Sequence, residues 1–242
     1  MINVCIALLP TYIAGIVFFG LNAFLWVLLS TLSAVAAEII FKLISKKNII
    51  DILKEFDFSS VVTGLLVGLT IGTNYPWYAP IFGSVFAIIV VKMLFGGTGK
   101  NIVNPAIVGR IFLFISFQAV ATSMLLPSGD AITGATAITN ILETNSLENT
   151  PSLLDLFLGT NLAGCIGETC KLAIILGAIY LWVMGIIEIQ YPLIYIAVCG
   201  LFQVALQGFD FSLFLPSILS GGLIIGAFFM ATGYVTTPNT KL

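Results

Sequence analysis

An all-α polytopic membrane protein of about eight transmembrane helices is the fold class that this sequence predicts, on three observations. Hydrophobic residues make up 59% of the 242 and charged residues 8%, with a mean hydropathy of +1.13. A soluble domain carries about 25% charge to keep its surface solvated, so the surface of this chain has to be lipid. Apolar stretches of helical length also recur along the chain, separated by breaks rich in Gly, Pro and Lys. Finally, the lysines cluster on alternate breaks, as they do where loops share one side of a membrane.

Taken in order, residues 3–45 are apolar for longer than one span of about 20 residues needs. Pro10 and the Gly20-Leu-Asn22 break divide them into helices over 3–20 and 22–44. No charged segment precedes this run, which argues against a signal peptide. Lys46 to Ser60 is polar and mixed in charge, hence a loop or short surface helix. Segment 60–75 is short and carries Gly64, Gly68 and Gly72, the pattern of a broken or tilted helix. A span over 79–95 leads to Gly96-Gly-Thr-Gly-Lys-Asn-Ile-Val-Asn-Pro105, and a fifth span covers 105–126. Residues 127–170 form the one long polar loop of a single integral membrane domain, 1–242; loops of that length are usually functional. Three further spans are predicted over 171–188, 192–207 and 213–231.

With the amino terminus inside, Lys42, Lys46, Lys47, Lys54, Lys92, Lys100 and Lys241 fall on the cytoplasmic side, Arg110 lies a turn or so within the fifth span on that side, and Lys171 alone falls outside. Loop 127–170 then faces away from the cytoplasm; a re-entrant 60–75 would invert everything after it. A weak internal repeat is visible. Pro80 begins a span ending in Phe95-Gly-Gly-Thr-Gly, and Pro216 one ending in Phe229-Met-Ala-Thr-Gly. Duplicated halves with interrupted helices place sites near the repeat interface; shared composition of apolar spans is the bland alternative.

Several function classes drop out. No basic stretch exceeds Lys46-Lys47, which excludes nucleic acid as a partner. The chain has no histidine, hence no His-held haem, no His-ligated zinc and no His base. Cys5, Cys165, Cys170 and Cys199 are too scattered for an iron–sulfur cluster within the chain, and Cys165 and Cys170 read as small residues at a loop-to-helix junction. Redox chemistry here has to come from an organic cofactor. Glu38, Asp57, Arg110 and Glu168 lie in or near spans, where charges pair or line a pathway. Glu38 is expected at the cytoplasmic interface beside Lys42, four residues on. Thr98, Asn101 and Asn104 stand at a helix break, either as polar candidates to contact a bound cofactor or, more simply, as helix caps.

Within the loop, Asp130-Ala-Ile-Thr-Gly-Ala-Thr136 resembles the acceptor sequence, Asp-x-x-Ser/Thr-Gly-Ala-Ser/Thr, at which a flavin transferase joins FMN to a hydroxyl through its phosphate. A threonine hydroxyl is a weak nucleophile and no histidine activates it, so modification needs a separate enzyme. Gly134 and Ala135 leave the backbone uncovered for that enzyme. Asp130 either holds the metal or pyrophosphate end of the donor or simply starts a turn.

More of the chain carries a resemblance. Asp57-Phe-Ser-Ser-Val-Val-Thr-Gly64, Leu94 to Ala106, Arg110-Ile-Phe-Leu, Gly164-Cys-Ile-Gly-Glu168 and Phe229-Met-Ala-Thr232 resemble, in order, motifs of the D subunit of the Rnf ion-translocating ferredoxin:NAD oxidoreductase. The B subunit of the sodium-translocating NADH:quinone reductase is a more distant match. Gly233 stands where the family has Asp, and Ala137 where Pro follows the acceptor.

The resemblance implies a translocase/oxidoreductase subunit, not a complete enzyme alone, in the bacterial inner membrane, coupled to Na+ or H+. It implies FMN on Thr136, with Asp130, Thr133, Gly134 and Ala135 around it and Arg110 countering an anionic flavin. It further implies a second, non-covalent flavin (riboflavin), a covalent-FMN G subunit and other Rnf-type subunits as partners, and the transferase. The family's ten-helix inverted repeat against the eight spans counted here makes this chain a fragment, a gene-model truncation or a shortened variant. The competing readings are a quinone-reductase B-type subunit, a non-redox channel or carrier, and a purely structural assembly subunit.

Overall fold

A computed structural model describes residues 1–45, 50, 52, 56–125, 133–134, 151–160 and 162–233, with only the backbone at 124, 125, 133 and 134. The long first helix, α1 (Ile2–Ile44), contains the predicted break: Gly20 adopts φ 68°, ψ −153°, a conformation that side chains resist, and splits it into two arms. Most of what α1 buries is small, Ala7, Gly15, Ala23, Ser30, Ala34 and Ala37, with Leu8, Val27 and Glu38 the larger exceptions. Its large apolar residues, such as Val17, Leu21 and Leu32, face outward. That is the packing of a lipid-exposed bundle, where close backbone approach replaces the hydrophobic effect.

The second arm of α1 packs on α2 (Ser59–Leu69). A Cβ at Gly64 would lie 2.6 Å from Thr31 Cα, and one at Gly68 would lie 2.8 Å from Val27 Cα. Two glycines four apart therefore let these helices touch backbone to backbone, which the sequence presented only as a possible break. The first arm packs on α7 (Lys171–Val183).

α3 (Ala79–Phe86) starts at Pro80 and passes without interruption into a π-helical stretch, Ala87–Met93. The predicted fifth span, 105–126, is not one helix. α4 (Pro105–Ser116) ends at Phe117, whose φ −124°, ψ 43° leaves the helical region, and α5 (Gln118–Ala121) is a single further turn. A two-residue β pair follows, β1 (Met124–Leu125) antiparallel to β2 (Thr133–Gly134), with Met124 opposite Gly134. This pair is the departure from an all-α chain among the described residues.

Part of the predicted loop is ordered into the bundle. α6 (Leu153–Leu158) is capped by Ser152, whose hydroxyl accepts from Asp155 N. Beyond it, Ile166 N donates to Ile71 O at 3.0 Å and Gly167 N to Leu69 O at 2.7 Å, so the chain continues α2 by pairing with its exit. After α7 comes α8 (Gln190–Leu206), which is mostly outward-facing. The last predicted span is broken: a 3-10 turn Phe211–Leu213 and α9 (Phe214–Leu219) meet α10 (Leu223–Ile225) and a second π stretch, Gly226–Met230, at a bend of 70°. Every predicted apolar segment contains helix. Among the described residues, one helix, α1, is long and apolar enough to cross a membrane, or two if the bent pair is one span.

Candidate functional site

Two cavities lie at opposite ends of the same elements. One, about 360 Å³, opens among the exit of α2, Arg110 of α4, the 162–169 stretch, Lys171 at the start of α7 and the Gly221–Gly222 break. The other, about 400 Å³, lies among the start of α2, the end of α7, the 98–105 turn and the residues closing the second π stretch. We call them the Lys171 cavity and the Lys92 cavity.

In the Lys171 cavity, Arg110 Nη2 lies 2.5 Å from Glu168 Oε1, an ion pair rather than an aligned hydrogen bond. Arg110 retains a third of its side-chain exposure and Glu168 almost none. Lys171 is fully buried; its Nζ donates to the carbonyls of Glu168 and of Gly221, the latter at 3.0 Å. The three charges sum to +1. Gly222 is required by contact: a Cβ there would overlap Glu168 Oε1 and lie 2.8 Å from Arg110 Nη1. Thus the bend in the last broken span exists where its backbone is needed, turned toward a lysine and an arginine.

The Lys92 cavity has an aromatic and aliphatic body, including Leu66, Leu181, Phe228 and Phe229, and a polar edge of Thr98, Asn101, Asn104 and Thr232. Asn104 caps α4 as expected, its Oδ1 accepting from Ala106 N at 2.9 Å, and its Nδ2 also donates to Met230 O at 2.9 Å. That second bond ties the start of α4 to the end of the second π stretch.

Behind this cavity runs a buried ionic network. Lys92 Nζ donates to Glu38 Oε2 at 2.7 Å and to the Ser59 hydroxyl, and Lys42 Nζ lies 2.6 Å from Glu38 Oε1. Ser59 in turn donates to Asp57 Oδ1 at 2.5 Å, with Thr98 Oγ1 3.0 Å away. Burial would raise the Asp57 carboxyl, but hydrogen bonds from Ser59 and Thr98 and the Lys92 charge outweigh it and hold the group down to about 2. A third, open hollow of about 330 Å³ reaches the network from its other side, lined by Glu38, Lys42, Asp57 and Thr98.

Of the residues singled out from sequence, Arg110 and Glu168 are brought together. Glu38 does pair with Lys42, yet it is buried inside the bundle rather than held at an interface, because Lys92 supplies a second cation. Thr133 and Gly134 are placed by their backbone in β2; Asp130, Ala135 and Thr136 lie outside the described residues. The four cysteines are free. Sequence reasoning missed Lys92 and Lys171, taking both as charges that merely mark a membrane side. The available signal was the cost of a charge within an apolar run, which applies to lysines as to acids.

The pattern of the NQR2, RnfD, RnfE family matches residues 1–242. The chain belongs to that family. It is 42% identical over 243 residues to the D subunit of the Na(+)-translocating ferredoxin:NAD(+) oxidoreductase complex of Acetobacterium woodii, covering 99% of this chain and 73% of that relative. Identity to the D subunit of the proton-translocating ferredoxin:NAD(+) oxidoreductase complex of Clostridium ljungdahlii is 35% over 258 residues, 99% of this chain and 75% of the relative. To the D subunit of the ion-translocating oxidoreductase complex of Stutzerimonas stutzeri it is 33% over 276 residues, 100% and 77%. The resemblance drawn from the motifs is borne out: these relatives are all D subunits by name.

Proposed function

We propose that this chain is the D-type membrane subunit of an ion-translocating ferredoxin:NAD oxidoreductase complex, carrying electrons on an FMN joined by a phosphoester to Thr136, coupled to Na+ or H+ translocation. The observation that carries the reading is the acceptor motif Asp130–Thr136 in a chain of this family.

The geometry supports it. β2 ties Thr133 and Gly134, inside the motif, to Met124–Leu125, and Thr122, two residues before that strand, lines the Lys171 cavity. The positive sum of Arg110, Glu168 and Lys171 suits a phosphoester and favours the anionic form of a bound acid. FMN, when attached, supplies one- and two-electron chemistry. Arg110, oriented by Glu168, and Lys171, anchored on backbone carbonyls, would offer positive charge to its phosphate. Gly134 and Ala135 leave room for the transferase, and Asp130 engages its donor.

A second, non-covalent flavin (riboflavin) fits the Lys92 cavity, whose volume is in the range of small-molecule sites. Its aromatic body offers faces for a flat ring, and Thr98, Asn101 and Asn104 an edge for the ring's polar atoms. The cavity lies between two π stretches, Ala87–Met93 and Gly226–Met230; the first is followed by one of the two similar motifs seen in sequence, and the second runs into the other at Phe229. That pairing supports an internal repeat with its site at the repeat interface.

With the Met1 end cytoplasmic, the chain crosses a bacterial inner membrane by eight spans. The Lys92 cavity then faces inward and the flavin loop outward, toward a covalent-FMN G subunit.

The test is intact mass with in-gel flavin fluorescence of the chain co-expressed with a flavin transferase, beside Thr136→Ala. One FMN-sized adduct that disappears in the variant is expected. A folded, inserted, unmodified chain would overturn the redox reading in favour of a channel or carrier.

A further inference from the structure

The Lys92 cavity and the open hollow touch one ion network from opposite sides. Lys92 lines the cavity, Glu38 and Lys42 line the hollow, and Thr98 lines both. Between the two, contacts run unbroken from Lys42 Nζ to Glu38 Oε1 at 2.6 Å, and from Glu38 Oε2 to Lys92 Nζ at 2.7 Å. The side chains of Lys92 and Glu38 are 3% and 2% exposed, while that of Lys42 is 13% exposed at the hollow's wall. Packing alone does not call for this arrangement, because apolar side chains of the same volume hold helices together as well as buried ions do. Ionisable groups inside a bundle of this kind mark pathways instead. The helix that carries Lys92 is in the π form from Ala87 to Met93, a local widening that recurs at functional positions.

We propose that Lys92 donates a proton to a reducible ring held in the Lys92 cavity and is reprotonated from the hollow through Glu38 and Lys42. The inference rests on reading that cavity as a flavin seat. When the ring receives two electrons from the complex's reduced donor, one N–H bond of the Lys92 ammonium breaks and its proton passes to a ring nitrogen. The Lys92 amine then takes a proton through Glu38, which takes one from Lys42, and Lys42 takes one from water in the hollow. The ring gains two electrons and one proton, the hollow's water loses one proton, and the network returns to its starting charges. Charged groups that bear on Lys92 are Glu38 in direct contact, Lys42 on the same carboxylate, Asp57 before α2, and the Met1 amino terminus, which lines the same cavity.

The assembled complex tests this with Lys92→Arg and Lys92→Met beside the wild type. Arginine keeps the charge and the ion pair with Glu38 but does not release its proton. Flavin released by acid measures occupancy of the cavity; an indicator dye measures proton uptake during one reduction; rates in H2O and D2O report the transfer itself. Both variants are expected to keep the releasable flavin while proton uptake slows by on the order of a hundredfold, the scale of a lost general acid. If Lys92→Met fails to assemble, Lys92→Arg decides the matter. Wild-type proton uptake and isotope effect in Lys92→Arg overturn the relay and leave the flavin seat standing. A wild-type complex with no releasable flavin overturns the seat and the relay with it.

Discussion

The two cavities each bury a lysine, and they satisfy it differently. Lys171 gives its protons to the carbonyls of Glu168 and Gly221, while the one nearby carboxylate is taken by Arg110. Lys92 meets a carboxylate directly, Glu38, which is also shared with Lys42. The first arrangement leaves an ammonium held by backbone oxygens beside a cavity; the second links two ammonium groups through one carboxylate. Backbone carbonyls hold an ammonium in place without being able to take its proton, whereas a carboxylate can do both. On that difference rest the proposed seat for an anion and the proposed route for a proton.

That contrast can be broken most severely at the acceptor. Thr136→Ala should abolish the proposed covalent FMN adduct entirely by intact mass, yet leave unchanged the acid-releasable flavin proposed for the Lys92 cavity. Loss of both together would mean that the two ends of the bundle do not act as separate sites.

The next largest effect concerns the counter-ions. Glu168→Ala leaves Arg110 and Lys171 without a carboxylate and should cost about 3 kcal/mol in detergent unfolding, as unpaired buried charges do. Lys92→Met should cost less, about 1 kcal/mol, because Glu38 keeps its pair with Lys42. Equal losses would contradict the distinction between the two networks.

Gly222→Ala sharpens the comparison at the backbone. Its methyl group would overlap Glu168 and crowd Arg110, and relief of such overpacking costs about 1–3 kcal/mol. A lowered unfolding midpoint with unaltered releasable flavin is expected, since the clash lies at the other cavity. A similarly small effect is expected for Asn104→Ala, where loss of the cap on α4 should cost about 1 kcal/mol. Because Asn104 also anchors Met230 O, this variant should weaken retention of releasable flavin, read by acid release after dilution. The covalent adduct should be untouched.

Much of the architecture was legible in the residues. The break at Gly20 showed because a long apolar run needs a reversal, and α2 showed as short because its glycines crowd within one stretch. The cap at Asn104 showed because Asn before Pro is a helix start. The pairing of Arg110 with Glu168 was expected only in kind. What hid was of another sort. Nothing in 105–126 marks Phe117 as the place where α4 ends, and nothing local shows that Gly64 and Gly68 are contact points rather than breaks.

By itself, then, the sequence determined the class of surrounding solvent, the succession of helices, the acceptor motif and the family. Each of these is written in composition or in short runs of neighbours. Only the tertiary structure decided which lysine meets which acceptor. Lys92 and Glu38 are 54 residues apart and Lys171 and Gly221 are 50, so their contacts depend on how helices cross. The crossings are set by small residues scattered through apolar runs, where one face of a helix looks much like another until it is packed.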